Sequence, residues 1–523
     1  MVVLRVLRFL SVTALTPLSS LGFLGVVGPL GGASAQERTT PLCVTALPDR
    51  FERWLEEPAL QGAAIGVALE TVEGSKVYDY QGNRRFVPAY TQKLLTTAAA
   101  LAQWGGDRTW QTTVYLNVKP ETRELWVVGQ GDPTFTDQSL RALAQAVAQQ
   151  LQQRQMIHLD RLVGDDRFLG EGGTPPTWEI GDTRAGYGAP VNALVLTENA
   201  VPFTLWPQAV GEPLRLEWET PEDATAWQVE NFSVSGGPDA AEFVTVGNLG
   251  LRDLGNQDPE KPGQQGRSIL RIEGVLRAGA PPEPVAVAVS KPGQRFLQRF
   301  QTALAREGIT VAQSQLLTFP DTQPLPIETA EAIVTHSSPP LRELITTTNQ
   351  DSQNLYAEIL LHWLGKDYPH PTAPGLAPSF HTNGIQHLTD ILLKWGLDPN
   401  SFTIADGSGL SRHNSITPTA LVQVLQHSAQ APWFSAYRAS LSEAGHSGTL
   451  ARRFAQTPLE GKLWGKTGSM TGTLALAGYL SPHAYPPLTF SILINQSNAS
   501  YSQLTGAIDR LLEEWVNLEV CSE

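Results

Sequence analysis

The most strand-like runs of this chain lie at its two ends. Gly62 to Val72 and Ser75 to Tyr80, joined by the turn signal Glu73-Gly74, read as a hairpin near the start. Lys462 to Thr467, Thr473 to Leu480 and Leu488 to Asn495 read as three more strands near the end, with a turn over Pro482 to Pro487. An isolated hairpin is marginal in water. The two sets are therefore expected to complete one antiparallel sheet that closes late in the sequence. Amphipathic helices flank them: Asp49 to Leu55, with Phe51, Trp54 and Leu55 on its apolar side, and Tyr501 to Leu518. At 523 residues the chain exceeds one ordinary domain, so two or three are expected.

Between the ends lies an insert, from about Arg108 to about Glu328, that reads as mostly β. Thr112 to Leu116 faces Glu124 to Val128 across a polar turn. Helices are expected at Gln138 to Gln153 and Phe296 to Glu307, and short β-like runs alternate with Gly and Pro from Val201 to Val289. Gly255 to Gly266 is polar and turn-rich and reads as a mobile loop. From Leu341 the pattern is helical again: Asn349 to Leu364, Gly384 to Trp395, and a helix opened by Thr417 with Pro418 in its first turn. The expected division is a leader at 1–35, a first sheet-domain part at 36–107, the insert at 108–328 and a second part at 329–523.

Phe86 to Leu101 is an extended lead-in, a proline and a helix start. Lys93 stands one turn after Tyr90 and on the same face. A helix N-terminus offers free N–H groups and partial positive charge to an oxyanion. In acyl-transfer enzymes of the Ser-x-x-Lys kind, a serine holds the earlier position and the lysine takes its proton. Here that position is Tyr90. Three further stretches join this one in order: Ser352-Gln353-Asn354, Asp406-Gly407-Ser408-Gly409-Leu410-Ser411 and Lys466-Thr467-Gly468. Each is weak alone. Together they resemble the class C low-molecular-mass penicillin-binding proteins, D-alanyl-D-alanine carboxypeptidases and endopeptidases of the bacterial envelope.

The resemblance implies an α+β penicillin-recognising transpeptidase-like domain carrying one or two inserted domains. It also implies roles. Lys93 would be the general base and the Tyr90 position the nucleophile. Ser352 would relay a proton to the leaving amine, and Asn354 would hold the substrate amide. Lys466 and Thr467 would bind the terminal carboxylate, Gly468 would let substrate backbone lie against the strand, and the Ser469-Met470 backbone would offer an oxyanion donor. Plainer readings stand beside these: Ser352 as a helix cap, Lys466 as a solvated lysine at a strand end, and Asp406 to Ser411 as a structural loop with Ser411 capping or lining the cleft edge.

Tyr90 departs from the pattern. A phenol oxygen sits roughly 4 Å further from the backbone than a serine oxygen, and about 1 Å of misplacement can cost ~100-fold. Thr91, the neighbouring hydroxyl, points about 100° away on a helix. The implied activity, peptidoglycan stem-peptide hydrolysis by a serine-type peptidase, therefore loses its expected nucleophile. The competing reading is a catalytically silent peptidoglycan- or partner-binding protein on the same fold. A β-lactamase or esterase also needs the absent serine.

Arg5 and Arg8, an apolar stretch and Ala33-Ser34-Ala35 form a secretion signal with cleavage expected after Ala35, which implies a periplasmic or cell-envelope location. No other apolar run is long enough to span a bilayer. Cys43 and Cys521 lie near the two ends of the mature chain, and either bridge across the termini or remain as two thiols. The net charge is −14, with no basic stripe, which argues against nucleic acid and anionic membrane as partners. The partners expected are stem peptides and, through the resemblance, β-lactams. His362, His370, His381 and His387 show no zinc-like spacing and there is no glycine-rich phosphate motif, so no metal or cofactor is expected.

Overall fold

A computed structural model describes residues 42–251, 267–325, 329–368 and 379–521. The leader, His370 and the Gly255–Gly266 loop lie outside the described residues. The strands from both chain ends do form one sheet. Its order is Ser442–Glu443, Leu463–Met470, Thr473–Leu480, Leu488–Asn495, Ala64–Thr71 and Lys76–Tyr80, antiparallel at every step. Ala64 to Thr71 pairs residue for residue with Asn495 to Leu488, so the hairpin of the N-terminal side is completed by the last long strand.

The sheet's alternation sorts its side chains into two cores. Leu474, Leu476, Phe490, Ile492 and Val67 face the terminal helices Leu47–Leu55 and Tyr501–Trp515. Trp54 Nε1 donates to Ala507 O at 2.7 Å and ties those helices together. Ala475, Ala477 and Leu493 face the other way, where small side chains admit the helix Lys93–Trp104. That helix is buried all round at Leu94, Leu95 and Ala98 to Leu101. Each buried leucine there contributes about 1.5–3 kcal/mol of transfer free energy. Leu341–Gln350, Asn354–Lys366, Phe380–Lys394 and Pro418–Ala429 complete this layer.

Three expectations change. The helix expected over Asn349 to Leu364 is two helices, broken at 351–353. The C-terminal helix ends at Trp515, because Leu518–Glu519 instead pairs in parallel with Leu42–Cys43. The sulfurs of Cys43 and Cys521 are joined beside this pairing. The inserted five-stranded sheet takes its last strand from Glu331–Ser337, past the boundary placed at 328. Its other strands are Thr310–Leu317, His158–Asp165, Thr122–Gly129 and Gln111–Lys119, covered by the helices Asp137–Gln153 and Pro292–Arg306. Two three-stranded sheets, drawn from 200–288, pack around Phe203, Leu270 and Ile272.

Candidate active site

The approach to Tyr90 is held from both sides. Asn495 accepts from Val87 N at 2.8 Å and donates to Val87 O at 3.1 Å. Ala89 is buried with φ +47°, a conformation that non-glycine residues adopt only when their surroundings impose it. A Cβ on Gly409 would lie 2.0 Å from Ala89 O, and one on Gly468 2.8 Å from Tyr90 N. The turn therefore needs glycine on both neighbouring segments. Tyr90 sits in a single 3₁₀ turn, Ala89–Gln92, and the α-helix begins at Lys93. Thr91 points inward, donating to Pro88 O at 2.7 Å, as its helical spacing from Tyr90 implies.

Lys93 is fully buried under Tyr90, its Nζ 4.4 Å from the ring centroid. The amine donates to Asn354 Oδ1 at 2.6 Å and to Ser408 O at 2.8 Å. Burial lowers its pKa to about 7, against the opposing pull of Asp406 and Glu358. The Tyr90 phenol is pushed upward instead, first by burial and then by Asp182.

The helix break brings Ser352 to the same groove. Ser352 has φ +59°, and Lys466 Nζ donates to its Oγ at 2.8 Å and to Thr467 O at 2.9 Å. It does not cap the next helix, whose N-cap residue is Gln353. Nor is Lys466 solvated: it is fully buried, and its pKa falls well below the usual range through burial and then the neighbouring Lys93. Asn354 bridges the parts, accepting from Lys93 and donating to Tyr187 O at 2.9 Å. Thr467 Oγ1 donates to Thr449 Oγ1 at 2.8 Å. Gly468 and Ser469 continue the strand. On this edge only Trp464 and Gly465 have a strand partner, so among the described residues no strand pairs with Lys466 to Met470 on the side away from Thr473–Leu480.

The Asp406 loop is a buttress. Asp406 accepts from Gly409 N at 2.8 Å, Ser411 N at 2.7 Å, Asn414 Nδ2 at 2.7 Å and Trp178 Nε1 at 2.8 Å. Glu358 accepts from Gly407 N at 3.1 Å and Ser408 N at 2.8 Å. Together they aim Ser408 O at Lys93. Burial, then Asp406, raises the Glu358 carboxyl to about 8. Ser411, expected as a cap or at the cleft edge, is buried instead, and its Oγ accepts from His413 N at 3.2 Å.

Glu358, Thr449, Trp178 and Tyr187 are absent from the sequence reading. Glu358 carried a signal, since it lies four residues after Asn354 on one helix face. Trp178 and Tyr187 reach the site from the insert, and nothing local marks them. His362 and His387 bond backbone carbonyls through Nδ1, to Leu169 O at 3.1 Å and Leu364 O at 2.8 Å. Among the described residues the one group of ligands close enough for a metal is Cys43, Glu519 and Cys521, and its two sulfurs are bonded to each other.

The model of the D-Ala-D-Ala carboxypeptidase 3 (S13) family matches residues 47–515. A D-alanyl-D-alanine carboxypeptidase from Actinomadura sp. (strain R39) is 30% identical, over 89% of this chain and 84% of its own length. The penicillin-sensitive carboxypeptidase A of Dictyostelium discoideum is 26% identical, over 84% of each chain. In fold, the chain is similar to crystalline penicillin-binding protein 4 from Haemophilus influenzae, with a TM-score of 0.71 and 22% identity over 91% of this chain and 99% of that one.

Proposed function

Because the chain belongs to the D-Ala-D-Ala carboxypeptidase 3 (S13) family, we propose that it works in the cell envelope as a groove for peptidoglycan stem peptides ending in D-Ala-D-Ala, and that it holds them without forming an acyl intermediate. In this reading Lys466 and Thr467 take the terminal carboxylate, and Ser352 and Asn354 meet the amide. Gly468, expected to make room for substrate, is instead packed under the Tyr90 turn; the unpaired edge of Leu463–Met470 past Gly465 takes the peptide backbone, and Ser469 and the Tyr90 N–H border the carbonyl. β-Lactams enter the same groove as non-covalent ligands.

One observation carries the absence of acylation: the amine of Lys93 lies over the face of the Tyr90 ring and directs its hydrogen bonds to Asn354 and Ser408. A phenol held above its ordinary value does not pass its proton to an amine held near 7. The ring also fills space in front of the base where a serine would leave room for the scissile carbonyl. The peptidase reading has one observation in its favour, since an amine brought near neutrality is what a general base needs.

Incubation with a labelled penicillin followed by intact-mass measurement separates the two. The expected result is no covalent adduct, together with saturable binding of a peptide ending in D-Ala-D-Ala and no release of D-alanine. An adduct mapped to Tyr90 replaces the binding reading with the peptidase reading. Absence of both adduct and peptide binding overturns both.

A further inference from the structure

Thr197, Glu198 and Asn199 form a run of three non-glycine residues with φ of +50°, +52° and +54°. The outer two are pinned within the inserted region. Thr197 donates through N to Phe135 O at 2.8 Å and through Oγ1 to Asp137 Oδ2 at 2.9 Å. Asn199 donates to Pro190 O at 2.8 Å and to Asn192 Oδ1 at 2.7 Å. Such a run is strained and persists only where its surroundings over-determine it. What it accomplishes here is to project Glu198 out of the insert and into the helical layer.

There Glu198 Oε2 accepts from Gln353 Nε2 at 3.0 Å, with the Tyr356 hydroxyl beside it. Gln353 is the middle residue of Ser352-Gln353-Asn354, whose first member is itself in the left-handed region and bonded to Lys466. Two left-handed segments from different parts of the chain thus meet at one carboxyl. We infer that Glu198 is a positioning residue for the Ser352–Asn354 turn, holding it through Gln353 in the geometry that presents Ser352 to Lys466.

The groups around it set the sign. Burial raises the Glu198 carboxyl to about 7, and Asp351 on the helical side adds to this, while Gln353 and Tyr356 oppose it. Asp351 is itself raised by burial and restrained by Lys466. On the insert side Asp132, 3.5 Å from His336 Nε2, adds negative charge against Tyr356. A carboxyl raised in the folded state stabilises it at low pH, and that stabilisation is lost as pH climbs from the unfolded value of about 4.3 through about 7. Ionised Glu198 and Asp351 then repel each other across the turn. None of this requires that the groove bind or cleave anything.

Crystal structures of the full chain at about pH 5 and about pH 8.5, with Glu198→Gln and Glu198→Ala beside the wild type, test it without a ligand. The wild type is expected to keep the left-handed Ser352 and its Lys466 contact at the lower pH and to lose them at the higher. Glu198→Gln, which mimics the protonated acid, keeps both throughout, and Glu198→Ala loses both. Thermal midpoints should agree between wild type and Glu198→Gln at the lower pH and separate by a few degrees, Gln higher, at the other. An unchanged Ser352 in Glu198→Ala overturns the inference. If the alanine variant does not fold, a wild-type contact and midpoint that track Glu198→Gln at both pH values overturn it instead.

Discussion

Lys93 and Lys466 are both fully buried, both lie in one groove, and both have amines held below their ordinary range by loss of water. Their partners differ. Lys466 meets the hydroxyl of Ser352 and a strand carbonyl, on a strand edge whose pairing stops at Gly465. Lys93 meets a side-chain amide, a loop carbonyl and the face of an aromatic ring. In the proposed reading, one corner keeps a polar relay facing the space a peptide would fill. In the same reading the other keeps its base and its buttress but sets a ring where a small hydroxyl is needed. A site of this kind can lose its covalent step while its recognition parts stay packed in place.

Restoring the small hydroxyl tests this contrast hardest. Tyr90→Ser is expected to raise labelled-penicillin acylation by at least ~10³-fold, since removing a catalytic serine costs that much or more elsewhere. Adding Lys93→Met should abolish the gain, whereas Lys93→Met alone should leave peptide affinity within about threefold. No gain in a folded Tyr90→Ser variant would break the assignment of that corner. At the other corner, Lys466→Met should weaken a D-Ala-D-Ala peptide about 30- to 100-fold by calorimetry, in line with truncating one partner of a buried charged contact. A next, smaller effect is in pH: acylation of Tyr90→Ser should rise about tenfold through a midpoint near 7, as Lys93 loses its proton and becomes a base. A falling profile would break the role of Lys93. Smallest at the groove is the terminal disulfide. Cys43→Ser with Cys521→Ser should lower stability by about 2–4 kcal/mol in denaturant while peptide affinity moves less than twofold.

Much of the fold could be read from the residues because strand alternation is a local signal. The runs at 473–480 and 488–495 announce themselves, and so does the helix after Tyr90. Ser352 was harder. Its left-handed φ breaks a helix that Asn349 to Leu364 would otherwise continue, and the partners it meets there, Lys466 directly and Glu198 through Gln353, are distant in sequence. The burial of Lys466 was equally hidden, since a lysine at a strand end next to glycine is ordinarily wet. Trp178, Tyr187 and Glu198 come from the insert, whose composition says nothing about which of its loops turn back toward the groove. The part of the site most exposed to misreading was therefore the part built by contact between regions far apart in sequence.

Ala64–Thr71 lies in the sheet between Lys76–Tyr80 and Leu488–Asn495. A polypeptide emerging N-terminus first can pair this strand with Lys76–Tyr80 early, but its other edge stays open until Leu488–Asn495 has been made. The inserted sheets can mature on the way, because their partners arrive sooner. The groove cannot, because the helix Lys93–Trp104 and the strand Leu463–Met470 that line it stand on opposite sides of the insert, so its assembly waits for the end of the chain.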